Sequence, residues 1–303
     1  MGVPGKLLFL DSGAHGLYSR FVIEQQHKHG YDFYTTREFY LYLDAYGEFI
    51  QQHPEVTVYA NVDVIFDPKL SHKAQRYLER RYGVRPIPVI HYGTPLKYLR
   101  RYINRGYEYI ALGGLGQEVH RNQYTEWADG AFHIICGGRD HLPKARVHGF
   151  AITSFPIMQR YPWYSVDSTS WLLHTVRGTL LVPQRRGESW NYSESPHFIQ
   201  VAHRKRNPSG HIGGEHLAKV QYHKLVDQYL ADTGFQKGVS HTSYDKLTNT
   251  KHEEVVEKGV FNDHYIRGSL NARFYLEFAR TLPTWPWPFF RSKPPVRRSL
   301  RLV

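Results

Sequence analysis

The sequence predicts an α/β protein, a (β/α)8 TIM-like barrel carrying a C-terminal helical extension. Three observations point there. Short runs rich in β-branched and aromatic residues alternate with amphipathic segments of helical period. Within each run the apolar residues are nearly continuous, as expected of strands covered on both faces. Each run also delivers a polar residue or a glycine at or near its C-terminal end.

The runs occupy residues 6–11 (KLLFLD), 56–63 (VTVYANVD), 87–91 (IPVIH), 107–112 (YEYIAL), 146–152 (RVHGFAI) and 163–167 (WYSVD). Between them, residues 35–53, 71–82, 95–105, 117–127 and 154–160 have helical spacing. Such alternation means parallel strands joined by helical crossovers. Six strands are clear, and residues 31–34, 179–182 and 197–201 are candidates for the rest. An open doubly wound sheet fits the same alternation, although Gly113-Gly114-Leu115-Gly116 lacks the spacing of a dinucleotide fingerprint.

The polar strand ends are Asp11, Asp63, His91, the Gly113–Gly114 pair, His148 and Asp167. In a barrel such ends converge on one mouth, where enzymes of this architecture keep their sites. A carboxylate at a strand end can instead cap the next helix, and Asp167, just ahead of Ser168-Thr169-Ser170, fits that role too. His91 and His148 also fit satisfied core histidines. Asp67, in Ile65-Phe66-Asp67-Pro68, competes with Asp63, but an Asp-Pro turn places it at the start of the next loop.

Composition narrows the function. The 39 Lys and Arg against 27 Asp and Glu leave a formal charge of +12, which favours a polyanionic partner. Cys136 is the one cysteine, so an internal disulfide and a thiolate-rich metal site are both excluded, and the chain reads as intracellular. No apolar run approaches the roughly 20 residues that span a bilayer, and the first residues do not read as a signal peptide.

Asp11-Ser12-Gly13-Ala14-His15 resembles the DSGG-aromatic motif of tRNA-guanine transglycosylases, which exchange guanine for a 7-deazaguanine base. Val62-Asp63 resembles their base-recognition aspartate, and Ile90-His91-Tyr92-Gly93 their V-Q-G-G segment, with histidine in place of glutamine. Ala111-Leu112-Gly113-Gly114-Leu115 is similar to their G-G-L loop, and Asp167 falls where the family has its nucleophile. Ala60-Asn61-Val62-Asp63, His148-Gly149-Phe150 and the run from Tyr161 to Trp171 (YPWYSVDSTSW) look closer to the phage and bacterial branch that inserts 7-deazaguanines into DNA. The motifs keep the family order over residues 6–171.

The resemblance implies Asp167 as nucleophile, oriented by hydroxyls of Ser165, Ser168 and Thr169, and Asp11 as general acid and base. It implies Asp63, His91, Gly113 and Gly114 as contacts to the purine, with His15 as a stacking ring and Ser12 and His148 in the same base-binding group. The zinc site of the tRNA enzymes, three cysteines and a histidine, cannot form in a chain with one cysteine. The spacing of His203, His211, His216 and His223 leaves an all-histidine site open, with surface histidines the commoner explanation. No metal and no cofactor is expected.

The expected partners are DNA and a free 7-deazaguanine base, with the 7-cyano form first; no membrane partner is expected. Arg185, Arg186, Arg204, Lys205 and Arg206 are the expected nucleic-acid contacts, supplemented by Arg100-Arg101 and a basic tail from Arg291. The expected organisation is a barrel core over residues 1–180, then barrel completion over 181–282, with a basic hairpin around 179–201 and helices over 222–233 and 265–281. A Trp/Pro/Arg tail over 283–303 would dock through Trp285 and Trp287. The alternatives are a tRNA-directed transglycosylase, which the missing zinc ligands disfavour, and a non-catalytic DNA-binding barrel, which the presence of both Asp11 and Asp167 disfavours.

Overall fold

The computed structural model describes residues 8–23, 30–114, 121–202, 215–216, 220–245 and 250–291. The chain divides into two compact units. One comprises Met1–Ile152, Arg160–Asp167 and Trp285–Val303, and the other Thr153–Gln159 and Ser168–Thr284.

In the first unit six short strands follow in chain order: β1 (Phe9–Leu10), β2 (Val58–Tyr59), β3 (Val89–His91), β4 (Tyr109–Gly113), β5 (Arg146–Gly149) and β6 (Ser165–Val166). β1 pairs with β2, β3 to β6 form a four-stranded sheet, and every pairing is parallel. A parallel bridge between Ala60 and Ile87 joins the two sets. Strand order never reverses along this series, whereas a doubly wound sheet needs a switch point.

The period of two along each strand gathers Val58, Ala60, Ile87, Val89, Tyr109 and Ala111 into one cluster with Phe9 packed on it. The Phe9 ring on β1 lies 6.5 Å from that of Tyr109 on β4 and 4.5 Å from that of His148 on β5. The sheet therefore curls until its first strand faces its fourth and fifth. Among the described residues no closed barrel forms.

None of the three candidates for further barrel strands takes that place. Residues 31–34 lie in a 3-10 helix, Gly30–Thr35. The Thr35 and Thr36 hydroxyls donate to the carbonyls of Asp32 and Phe33, local bonds that compete with a strand ladder. Residues 179–182 and 197–200 are strands, β7 (Thr179–Val182) and β10 (His197–Gln200), but they pair antiparallel with each other in the second unit. Between them stands a hairpin of β8 (Gln184–Arg186) and β9 (Ser189–Asn191) and no crossover helix, so a parallel return is unavailable to them.

The helices of the first unit follow the amphipathic segments. They are α1 (Ala14–Tyr18), α2 (Arg37–Gln52), α3 (Pro68–Tyr82), α4 (Lys97–Asn104) and α5 (Arg121–Ile135); next in the chain come α6 (Phe155–Arg160), where residues 154–160 were expected to be helical, and α7 (Ser170–Val176). α2 begins at the Thr36 cap and buries Phe39, Leu43, Tyr46 and Ile50, one stripe at helical spacing, against Ala74 and Leu78 of α3. α3 starts earlier than expected. Asp67 is its N-cap, its carboxylate accepting the Lys69 and Leu70 amides at 2.9 Å, with Pro68 at the first helical position. Asp67 thus neither opens a loop nor competes with Asp63. α5 extends past residue 127 because Ala128, Ala131, Phe132 and Ile135 continue its buried stripe.

The C-terminal segment docks on the first unit. Trp285 donates its indole N–H to the Pro162 carbonyl at 3.2 Å, as expected for an anchor. Phe289, rather than Trp287, is the buried residue and packs on Phe132 and Tyr161. Beneath it Asp129 holds Arg160 through paired bonds of 2.9 and 2.8 Å and accepts from the Tyr161 hydroxyl at 2.8 Å. Residues 292–303 lie outside the described residues.

In the second unit β7 and β10 pack with α8 (Val220–Thr233) and α9 (His264–Thr281) around Leu180, Ile199, Val226 and Leu270. Asn271 fastens α9 to β7, accepting the Leu181 amide at 2.8 Å and donating to the Thr179 carbonyl at 3.0 Å. A two-stranded antiparallel hairpin, Val239–Asp245 with Thr250–Glu257, is an element the sequence reading did not anticipate. Its charged residues hide the alternation.

The α2–α3 contact is tight at Gly47, where an added methyl would come within 2.6 Å of Tyr82 Cγ. The Tyr82 hydroxyl is tied to Asp44 at 2.6 Å, which resists a swing of the ring. Gly47→Ala should therefore lower stability by about 1–3 kcal/mol, despite the better helix propensity of alanine. Urea unfolding measures this, and a variant as stable as the parent would show that the ring yields freely.

Candidate active site

All the polar strand ends named above fall in the first unit, at the C-terminal edge of the parallel strands. Pleat parity brings most of them to one face. Counting by twos leads from Phe9 to Asp11, from Val89 to His91, from Ala111 to Gly113 and from Ser165 to Asp167. The register sets neighbours side by side: His91 pairs with Gly113, Ala111 with His148, and His148 with Ser165. Asp63 arrives differently, on an irregular buried stretch of Asn61, Val62 and Asp63 after the Ala60 bridge.

Asp63 and His91 meet directly. The His91 Nε2 bonds Asp63 Oδ2, and the carboxylate is nearly buried while the imidazole keeps an exposed edge. A buried carboxylate needs such a partner, because desolvation without one costs several kcal/mol. Gly113 has no side chain to cover this pair: a methyl there would stand 3.4 Å from His91 Nδ1. At Gly114, φ is 105° and a methyl would come within 2.8 Å of the Tyr92 amide nitrogen, so only glycine fits. Phe66 stands beside the pair, 60% exposed and 6.5 Å from the His91 ring, in a left-handed conformation with φ of 65°.

Asp167 does not cap the following helix, α7 (Ser170–Val176), whose N-cap is Thr169. Its Oδ1 accepts the Ala151 amide at 3.0 Å and faces His148 Nε2 at 3.7 Å. The Asp167 side chain is 55% exposed, while His148 is almost wholly enclosed. Burial of the group acts to raise the Asp167 pKa, but the His148 imidazole and the Ala151 amide outweigh it, and the carboxyl sits below its ordinary value. The carboxylate is thus ionised at neutral pH.

The neighbouring hydroxyls are arranged otherwise than expected. Ser165 Oγ bonds His148 Nδ1 at 2.8 Å and the Tyr109 hydroxyl at 2.6 Å, and Ser168 bonds Ser170. Ser165 therefore reaches Asp167 only through His148. Phe9 and Phe150 enclose the imidazole, each with its ring centre 4.5 Å away. His148, expected among the base contacts, is buried and turned to the carboxylate.

Asp11 and His15 are exposed, and Ser12 is buried with its carbonyl accepting the Tyr42 hydroxyl at 2.6 Å. Burial, and then the charge of Asp11, hold the Tyr42 phenol protonated. Arg185 and Arg186 lie in the second unit. Arg186 pairs with Glu194 at 2.8 Å, and Arg185 lies over the Trp190 ring. Arg204, Lys205 and Arg206 lie outside the described residues, as do His203 and His211. Burial pushes the Cys136 thiol up to about 12, which leaves it protonated and unreactive. Among the described residues no group of three or more His, Cys, Asp and Glu could hold a metal ion.

A cavity of about 300 Å³ lies at the opposite edge of the strands, between Thr57, Arg85, Glu108 and Arg146. Its arginines are engaged: Arg85 donates to the Arg105 and Gly106 carbonyls, and Arg146 lies over the Tyr164 ring. It collects neither paired carboxylates nor a nucleophile.

Three participants escaped the sequence reading. Tyr109 shares its pleat face with Gly113, so counting by twos would have found it. Phe66 carried a weaker signal, a large apolar side chain placed just before an Asp-Pro helix start. Ala151, with φ of 59°, carried none, since alanine does not advertise a left-handed turn. No family model, curated protein or solved structure matches the chain.

The lowered Asp167 pKa gives a signed expectation for stability. Its contribution is present above the ordinary carboxylate range and is lost as pH falls through the lowered folded value. Asp167→Asn should therefore cost stability at pH 7, under about 1 kcal/mol for so exposed a group, and nothing once the acid is protonated. Denaturation at pH 7 and near pH 3 tests this; a deficit that grows on acidification would contradict it.

Proposed function

We propose that this protein is a DNA guanine transglycosylase, exchanging guanine for a 7-deazaguanine base through a covalent aspartyl-deoxyribose intermediate on a barrel-like frame. One observation carries the reading: an acceptor and a donor, Asp63 and His91, stand side by side at the same strand edge that presents the ionised, half-exposed Asp167. The guanine edge offers N1–H and N2–H donors beside the O6 acceptor. Asp63 complements the donors, while the His91 N–H and the amides at Gly113 and Gly114 complement O6. The pair that satisfies itself in the free protein opens to the base. Phe66 and His15 offer faces on which the base could stack.

The exchange needs two displacements at C1′, as in a retaining glycosidase. Asp167 Oδ1 is engaged by Ala151 and faces His148, so Oδ2 attacks C1′. The C1′–N9 bond breaks, its electron pair leaves with guanine, and Asp11 supplies the proton. The incoming base then gives its N9 proton to Asp11, N9 attacks C1′, and the C1′–Oδ2 bond breaks to restore the Asp167 carboxylate. Two inversions return the original configuration.

C1′ of a stacked guanine is inside the duplex, so the nucleotide must be flipped out or already unpaired. The few kcal/mol this costs must come from contacts around it, and the basic chain after Asp167 suits that role.

Asp167→Asn should abolish covalent adduct on DNA, because an amide cannot displace the base. Asp11→Asn should slow exchange by about 10²–10⁴-fold while leaving base binding nearly intact. Nucleoside analysis of DNA incubated with a panel of deazaguanines reads the exchange, and an adduct in the Asp167 variant would move the nucleophile elsewhere. Neutralising Arg204, Lys205 and Arg206 together should weaken duplex binding and flatten its salt dependence. Unaltered affinity across a salt series would take the DNA path away from that cluster.

A further inference from the structure

His148 is a buried imidazole whose two nitrogens have unequal surroundings. Nδ1 bonds Ser165 Oγ at 2.8 Å, and Ser165 Oγ bonds the Tyr109 hydroxyl at 2.6 Å. Nε2 is buried without a hydrogen-bond partner and is aimed at Asp167 Oδ1, 3.7 Å away. The groups around the ring are Phe9 from β1, Phe150 after β5, Ser165 from β6 and Asp167 just after β6. Beyond Ser165 stands Tyr109, which feels the charge of Arg146 and has the Tyr164 ring 5.5 Å away.

Proton counting separates the two directions this chain can run. If Tyr109 donates to Ser165 and Ser165 donates to Nδ1, every hydroxyl proton is used once and the imidazole proton sits on Nε2, facing the carboxylate. In reverse, Nδ1–H of the neutral ring donates to Ser165 and Ser165 to Tyr109. A buried Nε2 lone pair then faces a carboxylate oxygen, which is repulsive and leaves the nitrogen unsatisfied. Electrostatics selects the first direction.

We propose that His148 is the positioning residue for Asp167: locked by Tyr109 and Ser165 with its proton on Nε2, it holds the Oδ1 edge and turns Oδ2 outward to the substrate. At 3.7 Å the contact is longer than a hydrogen bond, and a small rotation of the half-exposed Asp167 side chain closes it. The role deepens the transglycosylase reading and rests on it for what Oδ2 attacks. The tautomer and the hold on Asp167 do not depend on that reading.

The test has a substrate-free arm and a kinetic arm. Long-range ¹⁵N NMR of the labelled protein should show His148 as the Nε2–H tautomer at neutral pH. Ser165→Ala should loosen that preference, and Ser165→Thr should restore it. The Asp167 carboxyl ¹³C titration should move to higher pH in Ser165→Ala. A wild-type ring protonated on Nδ1 alone, or on both nitrogens, would overturn the proposal, as would an Asp167 titration that ignores the Ser165 change. In single-turnover adduct formation on DNA, Ser165→Ala and Tyr109→Phe should each slow the step on the order of tenfold, with the acid limb moved to higher pH and substrate affinity little changed. A loss confined to affinity would count against positioning. A wild-type protein that forms no adduct would overturn the transglycosylase reading alone, and the NMR arm would still decide the role of His148.

Discussion

A slip of one residue in the pairing of β5 with its neighbours would turn His148 from the interior to the outer face, and with it the order of the whole edge. The observed register sets His148 opposite Ala111 on one side and Ser165 on the other. That choice is enforced from below, where Val89, Tyr109 and Ala111 fill the same pleat face with apolar volume. Because the side-chain period is two, burying these residues commits His91 and Gly113, further along the same strands, to the same side, and Asp167 joins them through Ser165, which pairs with His148. Packing in the lower layers and polar chemistry at the rim are one constraint read at two heights.

The rim residues differ in how they tolerate that position. Asp63 is nearly enclosed and survives because His91 answers its charge. Asp167 keeps much of its surface in solvent and needs only a backbone amide and an imidazole to set its orientation. The difference matters for chemistry. In the proposed reaction the buried, paired carboxylate recognises the base and the exposed, ionised one attacks.

Backbone strain marks the same region. Phe66 and Ala151 both adopt left-handed conformations, which cost on the order of 1–3 kcal/mol in non-glycine residues and persist only where surrounding structure holds them. Phe66 is held in the turn that the Asp67 amide closes on the Val64 carbonyl, and Ala151 between Gly149 and the Asp167 carboxylate. Strain is not confined to the rim, since His141 has φ of 55° where its carbonyl receives the Phe289 amide of the docked tail. At Ala151 the unusual backbone has a visible consequence, an amide aimed at Asp167.

Strand order and the polar ends were legible because both follow from local rules. An apolar run with a helix on either side reads as a parallel strand, and counting by twos tells which residues share a face. That was enough to place Asp11, His91, Gly113 and Asp167 along one edge. The strands proved shorter than their apolar runs, because pairing stops where the chain turns toward its helix. The sequence alone also determined the lone cysteine and the excess of positive charge. It did not determine that β7 and β10 would pair antiparallel, that Ser165 would serve His148 rather than Asp167, or that Ala151 would lend its amide. Those depend on which distant groups come within 3 Å of one another, and a hydroxyl or an amide carries no mark in the sequence of the partner that folding will bring to it.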